Sequence, residues 1–250
     1  MARLQDGSAG DDAPLARRGL ALAALLLFAC AQPSTEEPVK AKQEAPPPEE
    51  APAPDPGGPP GPPLRADGTI FAGAEQMGTR VTIKVWVGDH STRAAEIAIR
   101  EAFAEIERIE EIASEWRPQS ELSQFNAHAG REPIDMSADL FALLQRSKEI
   151  AAASGGTFDP TFHGVGQLWS FEPGAQPPPR EAIAEKLKLV NWRAIELDPE
   201  THRGRLTNPG MKIGLGAIAK GYAVDRASEL LRRRGFVHHI VEGGGDTYVS

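Results

Sequence analysis

The chain has 250 residues, 35 of them acidic and 27 basic, for a formal net charge of −8. That acidic balance argues against a nucleic-acid partner, because holding a phosphate backbone takes clustered Lys and Arg. A single cysteine, Cys30, excludes an internal disulfide and a thiolate metal cluster.

The N-terminal end reads as an address. Arg17 and Arg18 precede Gly19 to Ala29, an apolar run too short to span a bilayer comfortably, and it ends Leu27-Phe28-Ala29-Cys30. A small residue just before the cysteine, with Leu three before it, resembles a bacterial lipoprotein signal. Residues 1–30 are therefore expected to be a signal peptide lipidated at Cys30; an ordinary signal peptide with an incidental cysteine is the alternative, and the Arg pair leaves twin-arginine export open. Twelve of the chain's 22 prolines fall between Gln32 and Pro63. Proline fixes φ and removes amide donors, so residues 31–66 are expected to be an extended, disordered tether, with a folded domain over 67–250.

Within that domain, Val81, Ile83, Val85 and Val87 alternate along a predicted strand from Arg80 to Val87. Ser91 or Thr92 can cap a helix carrying Ile99, Phe103, Ile106, Ile109 and Ala113 at helical spacing. A second helix from about Ser137 turns Leu140, Leu143, Leu144, Ser147 and Ile150 inward and stops at Gly155-Gly156. A shorter helix is expected over Glu181 to Leu189, then a hairpin of Ala194–Leu197 and Arg205–Thr207. A β segment from Met211 to Ile213 leads into a helix over Ala217 to Arg234, closed by Gly235. Strands over Phe236–Val241 and Thr247–Val249 flank Gly243-Gly244-Gly245. Strands and helices mix without a regular βαβ repeat, which makes the fold class α+β, with mixed helices and a largely antiparallel sheet.

Several constellations can carry chemistry. Leu215-Gly216-Ala217-Ile218-Ala219-Lys220-Gly221-Tyr222 brings small residues and a lysine to a helix start, where free amides suit an anion; the same stretch serves equally as close packing. Gly155-Gly156-Thr157-Phe158-Asp159-Pro160 is a helix end plus turn, or a loop offering Thr157 and Asp159 to a polar ligand and Phe158 as an apolar face. Trp116 can stack on a flat ring and Arg117 can pair with phosphate, or the two are a core tryptophan beside a surface arginine. His238 and His239 are adjacent on a strand, point to opposite faces and cannot jointly chelate an ion. No HExxH, GxSxG or cysteine-based motif is present, which argues against zinc-protease, α/β-hydrolase and thiol-enzyme chemistry.

In order and spacing, Met77-Gly78-Thr79, Trp116 to Asn126, Gly156 to Thr161, Leu215 to Asp225 and Val241 to Asp246 resemble the FAD:protein FMN transferases of the ApbE type. The resemblance covers about Phe71 to Ser250. It implies the ApbE-like fold, incomplete at the C-terminus, and Mg²⁺-dependent transfer of FMN from FAD to a Thr or Ser hydroxyl of an acceptor protein, with release of AMP. It further implies FAD contacts from Met77, Trp116, Thr157, Phe158, Asp159 and Lys220, and a Mg²⁺ ligand in the Ala217 carbonyl. An acceptor flavoprotein of an exported or membrane redox system, and a place in the bacterial cell envelope on a lipid anchor, follow from the same likeness. Alternatives are an FAD pyrophosphatase giving FMN and AMP, or a non-catalytic flavin-binding lipoprotein.

The family's Asp before Leu-Gly-Ala is Gly214 here, so one flavin contact is lost or supplied elsewhere. The family's later Asp and Thr of the Mg²⁺ site find no counterpart before Ser250. No catalytic base is therefore assigned, and residues 1–250 alone are expected to be inactive.

Overall fold

The computed structural model describes residues 62–250. The signal peptide over 1–30, Cys30 and most of the 31–66 tether lie outside the described residues. Three hairpins of strands and a run of helices build two adjoining hydrophobic cores.

The first core is a sheet covered by two helices. Strand β1 (Thr69–Gln76) pairs with β2 (Thr79–Trp86), which pairs with β6 (His239–Gly243), which pairs with β7 (Asp246–Val249), all antiparallel. The alternation read from the sequence holds in β2, where Val81, Ile83 and Val85 are buried and the residues between them are not. Against this face lie α1 (Thr92–Ala113) and α6 (Ala219–Arg233). Ala95, Ala98 and Ala102 of α1, with Ala223 and Ala227 of α6, belong to this core. Such small residues let two helices approach each other and the sheet closely.

The helix ends explain where the elements stop. Ser91 caps α1 by accepting from the Ala94 amide. Helix α6 ends in a left-handed Gly235, with the Phe236 amide on the Leu231 carbonyl and the Gly235 amide on the Arg232 carbonyl. This is the Schellman arrangement, in which the chain's last free carbonyls find donors. Arg234, the last residue of the basic run Arg232-Arg233-Arg234, forms a two-pronged pair with Glu101 of α1, both contacts at 2.8 Å. The run is thus structural.

The second core joins α2 (Glu121–Ala127), α3 (Ala138–Ala153) and a small sheet of β3 (Ile134–Asp135), β5 (Arg203–Leu206) and β4 (Ile195–Asp198). Short helices α4 (His163–Gly166) and α5 (Arg180–Leu187) lie between α3 and β4 in the chain. Leu122, Phe125, Leu140, Leu143 and Leu144 are buried here with Met211, Ile213 and Leu215. On α3 it is Phe141 and Ala151 that complete the inward face, while Ile150 stays half-buried.

Two sequence expectations fail at the level of backbone pairing. Met211 to Ile213 forms no strand. Its extended backbone is held instead by Asn126, whose side chain donates to the Ile213 carbonyl at 2.9 Å and accepts from the Ile213 amide at 2.7 Å. A side-chain amide thereby does what a neighbouring strand would do. Strand β1 was not expected at all: only Thr69 and Ile70 are buried along it, so it carries no alternation. It is an edge strand held by its register with β2.

One charged cluster ties the two cores together. Asp139, in the first turn of α3, accepts from Arg108 of α1 at 2.7 Å and from the Tyr222 hydroxyl of α6 at 2.5 Å. Arg108 also grips Glu105 with two nitrogens at 2.8 Å, and Arg226 of α6 reaches Glu105 at 3.3 Å. Partial burial alone would raise the Asp139 carboxyl, but the Tyr222 hydroxyl and the Arg108 guanidinium outweigh it and hold it below its usual value. Arg108 does the same for Glu105 against burial. Burial and Asp139 together push the Tyr222 phenol up to about 12.

Carboxyls held down in the folded state stabilise it above their unfolded pKa and lose that contribution as pH falls through the folded value. Their reference values are 3.8 for Asp139 and 4.5 for Glu105, so acid should erode stability from about pH 4.5 downward. Asp139→Asn should lower stability at pH 7 by about 1–3 kcal/mol and flatten that acid limb. Thermal melts from pH 3 to 7 check both; an unchanged melting temperature at pH 7 would show that the cluster contributes nothing.

Candidate active site

The chain crosses between the two cores at several places, and two of these crossings build the site. In the first, α1 ends at Ala113 and residues 114–120 lead to α2. Ser114 accepts through its hydroxyl from the amides of Trp116 and Arg117, and its carbonyl accepts from the hydroxyl of Ser120, the residue that caps α2. Arg117 turns back onto α1, pairing with Glu107 at 2.9 Å and Glu110 at 3.1 Å. Its guanidinium is therefore neutralised by the protein. Trp116 is left projecting, 73% exposed, with its ring edge-on to His163 at 6.1 Å.

In the second crossing, residues 214–218 leave the second core and enter α6. Leu215 accepts the first bonds of the helix, from the amides of Ile218 and Ala219. No side chain caps this N-terminus, and Gly216 and Ala217 just before it are exposed, as an anion site requires. Lys220 folds back to donate to the Gly216 carbonyl at 2.8 Å. Its stem lies against the turn of β6 and β7: a Cβ on Gly244 would come within 2.8 Å of Lys220 Cδ. Gly244 and Gly245 both have positive φ, the backbone of a two-residue hairpin turn. Among the described residues no hydrogen bond reaches the exposed Ala217 carbonyl.

The β1–β2 turn supplies the roof. Met77 and Gly78 have φ of 52° and 68°, and the Met77 amide donates to Glu110 at 2.8 Å. A methionine in the left-handed region is uncommon and is held there by that bond and by the pairing on either side.

Around these parts lie two depressions. One, of about 490 Å³, is lined by Met77, Gly78, Trp116, Arg117, Gly216 and Lys220 among others. The second, of about 600 Å³, is lined by Trp116, Thr157, Phe158, Asp159, Gly214 and Ala217 among others. They meet at Glu115, Trp116 and Gly216, which line both. All seven residues that the sequence pointed to as FAD or Mg²⁺ contacts thus face one joined cleft: Met77 and Lys220 on one side, Thr157, Phe158, Asp159 and Ala217 on the other, Trp116 between them.

Lining the cleft does not give each of them the same task. Asp159 spends its carboxylate on the fold. Its Oδ1 accepts from the Thr161 amide and hydroxyl, and its Oδ2 from the Trp192 amide at 3.0 Å. It staples the loop after α3 to the turn before β4. That loop begins in a second Schellman end, with the Gly156 amide on the Ala151 carbonyl and Gly155 and Gly156 both at positive φ. Phe158, half-buried, and the exposed Phe162 and Phe171 add apolar surface to the same depression.

Two residues without an assigned role from sequence line this cleft. His163 is 8% exposed and lies 3.8 Å from Glu115. Burial lowers its pKa against the pull of Glu115, which keeps the ring neutral at pH 7. Nothing in the sequence around His163 marks it; Glu115 was visible only as a neighbour of Trp116. Away from the cleft, His239 is buried, with Nε2 2.6 Å from the Ser228 hydroxyl and Nδ1 2.7 Å from the Phe236 carbonyl, while His238 is exposed. The pair is structural. Among the described residues there is no group of three or more His, Cys, Asp or Glu placed to hold a metal ion.

The chain is similar to known proteins in sequence and in fold. A family model described as the ApbE family matches residues 77–250. The FAD:protein FMN transferase of Treponema pallidum is 32% identical over 181 residues, 69% of this chain and 49% of that protein. That of Klebsiella pneumoniae is 29% identical over 185 residues, 73% of this chain and 57% of that protein. The crystal structure of the ApbE protein from Thermotoga maritima superposes with a TM-score of 0.65 at 28% identity, covering 72% of this chain and 58% of that one. The apo flavinyl transferase ApbE of Pseudomonas stutzeri gives 0.66 at 26%, covering 75% and 62%. The chain spans about half the length of the curated relatives it matches.

The contrast between staple and platform can be measured. Asp159→Ala should lower stability by about 1–3 kcal/mol and speed hydrogen exchange at the Trp192 amide. Trp116→Ala, at an exposed position, should stay within about 0.5 kcal/mol of the parent. Equal melting of parent and Asp159→Ala would show that the staple carries no load.

Proposed function

The chain belongs to the ApbE family, and on that premise we propose that the protein transfers the FMN part of FAD to a Thr or Ser hydroxyl of an acceptor protein, releasing AMP, with Mg²⁺ as cofactor. One observation carries the reading. Met77, Trp116, Thr157, Phe158, Asp159, Ala217 and Lys220, scattered over the chain, face one joined cleft that has an aromatic platform and a helix N-terminus.

Trp116 offers an exposed ring face to a flat heteroaromatic ring, and Phe158, Phe162 and Phe171 wall the adjoining depression. The uncapped start of α6 and the Lys220 ammonium favour the diphosphate. Lys220 gives up only a carbonyl contact to reach it. In the transfer, the acceptor oxygen bonds to the phosphorus of the FMN half and the bond to the bridging oxygen breaks. The electron pair leaves with AMP and the hydroxyl proton must be taken up. Preorganised positive charge lowers the barrier to such a displacement. Arg117 is drawn toward α1 by its pairs with Glu107 and Glu110 and is the weaker candidate for this role.

The free Ala217 carbonyl fits Mg²⁺ as one hard oxygen ligand. The described residues supply no carboxylate cluster around it, so phosphate oxygens of FAD would furnish others. When bound, the ion would neutralise diphosphate charge.

Incubation of the full-length protein with FAD, Mg²⁺ and a flavinylatable acceptor should give a fluorescent band on a denaturing gel. Trp116→Ala should weaken labelling at limiting FAD by about 10-fold, the effect of losing one stacking platform, and Lys220→Ala should slow it at saturating FAD. Release of free FMN and AMP with no labelled acceptor would point to a hydrolase instead.

The same proposal places the domain in the bacterial cell envelope, anchored through lipid on Cys30 and acting on a flavoprotein of an exported or membrane redox system. The position of the chain's single cysteine behind an apolar run supports it. Cys30→Ser should move the protein from the membrane to the soluble fraction of fractionated cells; unchanged membrane retention would count against the anchor.

A further inference from the structure

Gly214 and Glu115 share one space. A Cβ built on Gly214 would lie 2.5 Å from Glu115 Oε2 and 3.0 Å from His163 Cβ. The φ of Gly214 is not in the left-handed region, so the backbone does not demand glycine there. What demands it is the carboxylate that fills the place of a side chain.

That carboxylate is in an unusual state. Glu115 Oε2 is buried and has no hydrogen-bond partner among the described residues. Its other oxygen faces His163 Nδ1 at 3.8 Å, too far for a hydrogen bond, and the ring is held neutral by burial. A buried acceptor without a donor is costly. Glu115 also lines both depressions where they meet, beside the exposed Trp116 ring.

We infer that Glu115 accepts a hydrogen bond from an N–H carried in or on a heteroaromatic ring of the bound dinucleotide and stands in for the side chain that Gly214 lacks, so that the ligand-binding carboxylate has moved from one crossing of the cleft to the other. This rests on the FAD reading above. Both the flavin imide and the adenine amino group present such an N–H next to a flat ring that Trp116 can face.

The test titrates the full-length protein with FAD, and separately with riboflavin and AMP, by fluorescence quenching and calorimetry. Glu115→Ala should weaken FAD binding by about 10- to 100-fold, the range for a hydrogen bond to a charged group, without lowering the melting temperature of the ligand-free protein. Gly214→Asp alone, which forces two carboxylates together, should weaken both binding and folding. Glu115→Ala combined with Gly214→Asp should regain most of the lost affinity, which a merely structural role for Glu115 would not produce. Whichever of riboflavin or AMP loses affinity in Glu115→Ala identifies the ring. Parent-like FAD binding by Glu115→Ala, or a folded double variant no better than Glu115→Ala, overturns the assignment and leaves the FAD reading intact. A parent protein that binds no FAD overturns both.

Discussion

The cleft lies along the seam between two adjoining cores, and Asp139 is a directional link across that seam. One carboxylate at the start of α3 accepts from an arginine of α1 and a tyrosine of α6. Most of the buried face of each of those helices belongs to the first core, with Ala113 and Ala219 entering the second, and α3 belongs to the second. Apolar packing alone would not fix such a seam, since hydrophobic contact is non-directional. Short charge-assisted bonds are directional, and they fix where the end of α1 and the start of α6 lie relative to α3. Met77 and Tyr222 pack against both cores and bridge them with apolar contact.

A seam of this kind makes crossing segments the natural place for chemistry. The segments at 114–120 and 214–218 are short, irregular and anchored at both ends by helices or buried apolar side chains. Their backbone groups are not consumed by a sheet, so carbonyls such as that of Ala217 remain free for a ligand. Their anchoring is nonetheless rigid: Ser114 and Ser120 fix the first, and Asn126 fixes the approach to the second through both backbone groups of Ile213. The two glycine-containing hairpin turns, Met77-Gly78 and Gly244-Gly245, lie beside the cleft, the first lining it and the second packing against the Lys220 stem.

How much of this the sequence discloses depends on whether the signal is periodic or positional. Strand β2 and helices α1 and α3 repeat apolar residues at their own period, and their ends carry serine caps or paired glycines, so they are legible from residue order alone. Strand β1 is not, because pairing with β2 rather than burial makes it a strand. Met211 to Ile213 misleads for the opposite reason: its burial is that of a strand, but its hydrogen-bond partner is a side chain 87 residues away. The cleft was legible through spaced motifs that match a family, which placed every expected contact on it. The state of Glu115 was not legible, since an unpartnered oxygen is a property of the folded surroundings and leaves no mark on composition or spacing.

The geometry also separates two kinds of residue that a motif treats alike. Asp159 and Trp116 both line the cleft, yet one has its oxygens filled by three donors from the protein and the other has no packed surroundings. A residue whose bonding capacity is already met acts on a ligand through the shape of the loop it holds, although a carboxylate keeps lone pairs enough for one further donor. A residue left exposed beside a buried acceptor acts by direct contact. By this criterion Trp116, Lys220 and Glu115 are the side chains of the cleft whose state must change most when a ligand enters. Trp116 would lose water from its ring, Lys220 would exchange the Gly216 carbonyl for phosphate, and Glu115 would gain the donor it lacks. Trp116 and Glu115 stand where the two depressions join and Lys220 lines one of them, so a ligand spanning both would meet all three, and one that satisfies only one of them forfeits the burial and charge that the other two provide.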